Sequence, residues 1–248
     1  MSIGEKLTKI AENEQKVYEA GELSAIKSEA IWKAIQRPNA SGDYASVKEN
    51  CSYMFFNFDT KYFYPKYNIA PTKAYQFTRN MTGDVIDLVE RLAECGVSMD
   101  FSNCTNVTYV FYQCKFSHLP ILDFSKAGSS TQYMLFGRYV ETIDKLILSE
   151  SGQNCKNTFA YASALENIVI EGKIAAVSNV ELSGCSKLTL ASAKSILTAL
   201  SDASGTDRAG LYAITLAPEV VALLEADGAT APNGLTWMEY VSAKGWLL

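Results

Sequence analysis

The 248-residue chain carries one histidine, His118. That excludes a metal site needing two imidazoles, and any histidine-based catalytic triad has to use this residue. Basic charge is scarce too: 22 Lys and Arg stand against 27 Asp and Glu, a net charge of −5. Gripping nucleic-acid phosphates or an anionic membrane takes a basic face, so neither partner is expected. Long apolar runs are missing. The longest, such as Val220 to Leu224, span about five residues, against the roughly 18 that cross a bilayer. Met1 to Glu14 is polar and charged, without the apolar stretch of a signal peptide. This predicts synthesis in a cytosol, with no membrane insertion and no export by the general route.

Six cysteines stand at 51, 95, 104, 114, 155 and 185, none in a C-x-x-C pair. Zinc spacing is therefore absent, and buried free thiols in a reducing compartment are expected. No glycine-rich phosphate loop and no G-x-S-x-G elbow occurs, so no motif nominates an enzyme, a cofactor or a metal. Five Asn-x-Ser/Thr triplets, at Asn39, Asn50, Asn80, Asn103 and Asn106, read as chance in a turn-rich sequence without an export signal.

What is present falls into three parts: 1–36, 37–190 and 191–248. In the first, Ser2 and Glu5 have capping-box spacing, and Ile3, Leu7, Ile10 and Val17 form a heptad-like seam flanked by charge. Two readings stand: an amphipathic helix packed on its own domain, or a short coiled-coil-like helix for assembly or docking. Gly21 interrupts the pattern, and Arg37-Pro-Asn-Ala-Ser-Gly42 reads as a linker.

The second part repeats. Tyr53-Met-Phe55, Tyr75-Gln-Phe77, Tyr109-Val-Phe111, Tyr133-Met-Leu135, Asn157-Thr-Phe159 and Val180-Glu-Leu182 align at steps of 22, 34, 24, 24 and 23. A second register, Met99-Asp-Phe101-Ser, Leu122-Asp-Phe124-Ser, Leu146-Ile-Leu148-Ser and Ile168-Val-Ile170-Glu, steps by 23, 24 and 22, with Tyr67-Asn-Ile69-Ala as an earlier member 32 before Phe101. Both carry one long step across the same stretch, where Val85, Ile86, Leu88, Val89 and Leu92 predict a helical insertion over 84–95. Units this small bury their apolar side only against neighbours, which predicts an irregular α/β repeat solenoid with one short strand per unit and internal aromatic stacks. In 191–248, Ile196, Leu197 and Leu200 mark a helix, Pro218 opens another that Gly228 ends, and Thr236 with Glu239 forms a capping box. Gly245 stops that helix before Trp246-Leu-Leu248, so this part reads as a mixed helix-strand cap.

These units resemble BspA-type leucine-rich repeats. The likeness is carried by Asp100-Phe-Ser-Asn-Cys104, Val110-Phe-Tyr-Gln-Cys114, Leu122-Asp-Phe-Ser-Lys126, Asn157-Thr-Phe159, Leu182-Ser-Gly-Cys-Ser-Lys-Leu188 and the tail Ser242-Ala-Lys-Gly-Trp246. The opening, from Met1 to Gly21, is similar to the start of phage- and prophage-associated proteins of gut bacteria, where varied modules follow it. The resemblance implies a non-enzymatic structural and recognition protein of a virion, a tail-fibre or baseplate component. It implies a leucine-rich-repeat-like body facing a host receptor, a glycan or neighbouring virion proteins, and a helix that assembles with itself or docks. The chain departs from surface BspA-type proteins in having no export signal, which a virion protein released by lysis does not need. A bacterial protein-interaction module of the same fold, outside any virion, is the first alternative. A polysaccharide-degrading tail enzyme is the second.

Three features bear on a site. Residues 53–77 hold ten aromatics in 25 positions. They read either as a buried N-terminal cap or as an exposed contact surface, with Tyr62, Tyr64 and Tyr67 as the candidate binding residues. Cys114 and His118 could form a nucleophile pair, but the same phase carries Cys185 without a histidine, so a structural thiol and a turn histidine before Leu119-Pro120 are expected. The carboxylate pairs Asp84/Asp87 and Glu90/Glu94 are read as a solvated face of the inserted helix, and not as a glycosidase pair.

Overall fold

The computed structural model describes residues 46–47, 51–66, 68–128, 131–135 and 137–248. The expected helix with Ile3, Leu7, Ile10 and Val17, the linker 37–42 and Tyr67 lie outside the described residues.

The chain has a mixed α/β architecture in which every strand pair among the described residues is parallel. Strand β1 (Ser46–Val47) pairs with β2 (Asn68–Ile69). Strands β3 (Ile86–Asp87), β4 (Phe116–Asp123), β5 (Thr142–Ile147) and β6 (Asn167–Glu171) form one sheet in sequence order. Strand β7 (Val180–Leu182) pairs with β8 (Ile214–Leu216). Four helices are described: α1 (Leu88–Cys95), α2 (Leu190–Ala199), α3 (Pro218–Ala226) and α4 (Trp237–Ala243). Because β7 lies in the second part and β8 in the third, the boundary near 190 does not divide the core. One cluster of buried side chains runs from Cys51 to Trp246.

Alternation drives the strands. In β6, Ile168 and Ile170 are buried while Val169 and Glu171 are exposed, the period of two that a half-covered strand demands. Leu122, Leu146 and Ile170 stand level across β4, β5 and β6. The sequence alignment of Leu148 with Ile170 is therefore two residues out. The pairing also shifts by one residue between Ile143 and Leu146, with Ile143 opposite Ile168 and Leu146 opposite Ile170, and the amide of Leu148 bonds the carbonyl of Glu171.

A second ladder runs along the turns that connect the strands. Left-handed residues stand four apart at Tyr53 and Asn57, Gln76 and Asn80, Tyr109 and Gln113, and Asn157 and Tyr161, while left-handed Tyr133 is followed at the same distance by Gly137. The amides of Tyr53, Gln76, Tyr109 and Tyr133 donate to the carbonyls of Tyr75, Thr108, Gln132 and Lys156 at 3.0 to 3.3 Å. Main-chain groups that a tight turn would leave unpaired are thus satisfied by the next turn. The ladder sets Tyr53 level with Gln76, one residue away from the aligned Tyr75. Thr78, level with Phe55, is fully buried and donates its hydroxyl to the carbonyl of Val110. Val180–Leu182, aligned with these turns from sequence, is instead strand β7.

Phenylalanines fill the interior as edge-to-face contacts. Phe55 meets Phe77 at 5.1 Å, Phe77 meets Phe101 at 6.1 Å, and Phe101 meets Phe124 at 5.4 Å between ring centroids. Such pairs add about 0.5–1.5 kcal/mol each beyond the area they bury.

The helices start and stop for local reasons. Asp87 caps α1 by accepting from the Glu90 amide, and Gly96 ends it in the left-handed region. The helix is shorter than the expected 84–95, because Ile86 is drawn into β3 by its amide bond to the Lys115 carbonyl. Asp84 and Asp87 therefore precede the helix. Pro218 opens α3 and Gly228 turns the chain after it. The Thr236–Glu239 capping box forms as read, and Leu247 bridges Ala213 in parallel. Helix α2 covers the open edge of β6: Ser192 and Ser195 accept from the amides of Ile168 and Ile170. No helix among the described residues is long and apolar enough to cross a membrane.

Candidate functional site

The turn ladder separates two kinds of aromatic residue. Phe55, Phe58, Phe63 and Phe77 are fully buried, whereas Tyr53 is 53% and Tyr64 50% exposed. Tyr53 and Tyr64 thus sit where one side is wet and these four phenyl rings where neither is, while Phe56 is half-buried with its ring edge-on to Tyr53. The 53–77 cluster is accordingly split between core and surface, and the expected internal stack contains the phenylalanines alone. Of the candidate binding residues, Tyr62 is half-buried against the core with Lys61 over its ring at 5.4 Å. Tyr64 lies under the Arg91 guanidinium of α1 at 4.1 Å. Arg91 is itself held by the Phe63 carbonyl and Glu94. The structure holds Tyr62 and Tyr64 in one segment, each ring against a different cation.

A different row of tyrosines follows the ladder. Tyr53 and Tyr75 are 5.4 Å apart, Tyr75 and Tyr109 6.0 Å, and Tyr109 and Tyr133 stack at 4.9 Å with planes 13° apart. Arg79 lies 5.2 Å from the Tyr109 ring and 4.9 Å from the Tyr112 ring.

Beside this row opens a groove of about 600 Å³, lined by Asn80, Tyr112, Lys115, Arg138, Tyr139 and Tyr161 among others. Gly137 and Gln113 in its lining pack closely: a Cβ on Gly137 would come within 3.2 Å of the Gln113 backbone. Lys115 sits 3.9 Å from the Tyr139 ring centroid and Arg138 5.5 Å from it. Hydrogen bonding to Lys115 and then to Arg138 holds the Tyr139 hydroxyl below its ordinary range. Tyr161 is 69% exposed. No carboxylate lines the groove among the described residues. Sequence reasoning missed these residues, though a signal was present: Lys115 and Tyr139 each follow a ladder position, Gln113 or Gly137, by two residues.

The remaining candidates are held in structural roles. His118 lies in β4, not in a turn. Its Nδ1 is 3.1 Å from Asp87 and its Nε2 2.8 Å from Asp144. Partial burial depresses the imidazole pKa, but the bonds to Asp144 and Asp87 outweigh it and the net shift is upward. Cys114 is buried, and desolvation pushes its thiol up to about 12. Cys155 and Cys185 are likewise raised to about 12 by burial. These thiols stay protonated, so none is a ready nucleophile. None of the six cysteines is in a disulfide; five are buried and Cys95 is half-buried. Glu94 pairs with Arg91 at 3.1 Å on an exposed helix face. Among the described residues no group of three His, Cys, Asp or Glu side chains is placed to hold a metal ion.

No family model, no curated protein and no solved structure matches the chain.

Proposed function

We propose that the chain is a non-enzymatic structural and recognition protein whose body is an irregular leucine-rich-repeat-like solenoid. The observation that carries this reading is the turn ladder, in which left-handed residues four apart bond from one unit to the next. Parallel pairing in sequence order and the phenylalanine row support it further. A body of stacked units has a large outer surface relative to its mass and uses it for binding. The tyrosine row and the groove beside it supply aromatic and cationic side chains on that surface. The non-enzymatic reading draws on the chemistry of the nucleophile candidates, with thiols kept neutral by burial and His118 engaged on both nitrogens.

The resemblance of Met1 to Gly21 to the opening of phage- and prophage-associated proteins adds the setting: a tail-fibre or baseplate component that meets a host receptor or other virion proteins. In this reading Ile3, Leu7, Ile10 and Val17 assemble or dock the protein. Quantitative mass spectrometry of particles purified from the source culture tests the setting. A stoichiometric amount of this polypeptide is the expected result. Its absence from the particles would contradict the virion assignment and favour a bacterial interaction module of the same fold. Release of fragments from host surface polysaccharide by the purified chain would contradict the non-enzymatic reading.

A further inference from the structure

We propose that the groove between Tyr112, Lys115, Arg138, Tyr139 and Tyr161 binds an acidic saccharide, a uronate-bearing polysaccharide being the class it fits. This inference rests on the recognition function proposed above and names the ligand class for it.

Three observations carry it. First, the charge of the groove runs against that of the molecule. The chain has a net charge of −5, yet the described groove lining holds Lys115 and Arg138 and no carboxylate, with Arg79 on the neighbouring Tyr112 ring. A carboxylate arriving between two such cations gains charge-assisted hydrogen bonds without facing a like charge. Second, the groove lining is rich in rings. Tyr161 is 69% exposed, and Tyr112 and Tyr139 line the groove with it, each carrying a cation over one face, Arg79 on Tyr112 and Lys115 on Tyr139. Aromatic surface, hydroxyls and cations so combined match the C–H faces, hydroxyl edges and carboxylate of a uronate. Third, main-chain groups of the groove lining are already bonded to neighbouring segments: the Asn80 amide to the Tyr112 carbonyl and the Ile86 amide to the Lys115 carbonyl. A peptide adding as a strand needs free main-chain groups, and none of these is free. A nucleic acid needs a longer cationic track than three side chains supply.

The test uses the full chain and four polymers: polygalacturonate, heparin, polyglutamate and neutral dextran, measured by isothermal titration calorimetry at low and moderate salt. Polygalacturonate is expected to bind, more weakly as salt rises, and dextran is not. The double variant K115Q/R138Q should weaken polygalacturonate binding by about tenfold or more. Y139A should weaken it while the exposed control K187Q does not, all four proteins giving the same near-ultraviolet circular dichroism. Heparin binding through Lys115 and Arg138 without polygalacturonate binding would overturn the carboxylate assignment in favour of sulfate. Polyglutamate binding alone would overturn the saccharide in favour of an acidic peptide, leaving the groove as a recognition surface. Undiminished polygalacturonate binding by K115Q/R138Q, dextran binding as tight as polygalacturonate, or no binding of any polymer would overturn the inference. The mass spectrometry of particles is read independently of all of these outcomes.

Discussion

The amide of Ile170, on the open edge of β6, donates to the Ser195 hydroxyl of α2 at 2.8 Å. One turn earlier Ser192 takes the amide of Ile168 at 2.9 Å. The i, i+3 spacing of two serines on a helix matches alternate amides of a strand, so the helix satisfies the edge as a further strand would. Replacing either serine with alanine leaves an amide of a largely buried residue unpaired. S192A and S195A should each lower the unfolding free energy by about 1–2 kcal/mol. They should also speed hydrogen exchange at Ile168 and Ile170 respectively. Unchanged exchange at both amides would contradict this edge closure.

The interior row of rings carries much of the packing energy. Phe101 touches Phe77, Phe111 and Phe124 and is 1% exposed. F101A should cost about 3–5 kcal/mol in chemical denaturation. In a double-mutant cycle Phe101 and Phe124 should couple by about 0.5–1.5 kcal/mol, while F101A and V241A should add.

His118 predicts a pH dependence with a definite sign. Its folded pKa is raised because Asp144 and Asp87 outweigh the opposing effect of partial burial. The charged imidazole therefore stabilises the fold, fully so below the unfolded pKa near 6.5. That contribution fades as pH rises through the higher folded value. The denaturation midpoint of the wild type should exceed that of H118N by a margin that shrinks above about pH 6.5. A margin that is flat or grows with pH would contradict the Asp87–His118–Asp144 bridge.

Lys244 predicts the opposite slope. Its ammonium donates to the carbonyls of Thr198 at 2.8 Å and Leu200 at 2.6 Å, closing the end of α2 from the segment after α4. Burial first, and Lys173 second, lower its pKa to about 8, against the pull of Asp202. Between about 8 and the free value of 10.5 the unfolded chain holds the proton and the folded chain does not, so stability rises with pH across that window. The wild type should gain on K244M between those values in urea midpoints taken at successive pH. A constant difference would contradict the burial of this ammonium.

The helix boundaries within 191–248 were the most legible elements. The Thr236–Glu239 box, Pro218 and Gly228 act through neighbours in sequence, so their signals survive without tertiary context. The two sequence registers marked segments that the structure places in turns and strands, but not their phase. Tyr75 and Phe77 sit one residue before the ladder positions taken by Gln76 and Thr78, and only the hydrogen bonds between turns reveal the slip. His118 was misread because Pro120 suggests a turn. Strand β3 ends opposite His118, so β4 tolerates a proline beyond that point, where the missing amide faces no partner in β3. Ser192 and Ser195 were not legible at all, since serine on a helix carries no sign of the strand it completes. The groove was missed because Lys115, Arg138 and Tyr139 come from turns that only the fold brings together.

The central claim is that successive units stack their rings in one continuous row. Nuclear Overhauser contacts in selectively phenylalanine-labelled protein test it most directly. The account predicts cross-peaks linking Phe55 to Phe77, Phe77 to Phe101 and Phe101 to Phe124. Well-resolved Phe77, Phe101 and Phe124 signals without contacts among them would contradict it.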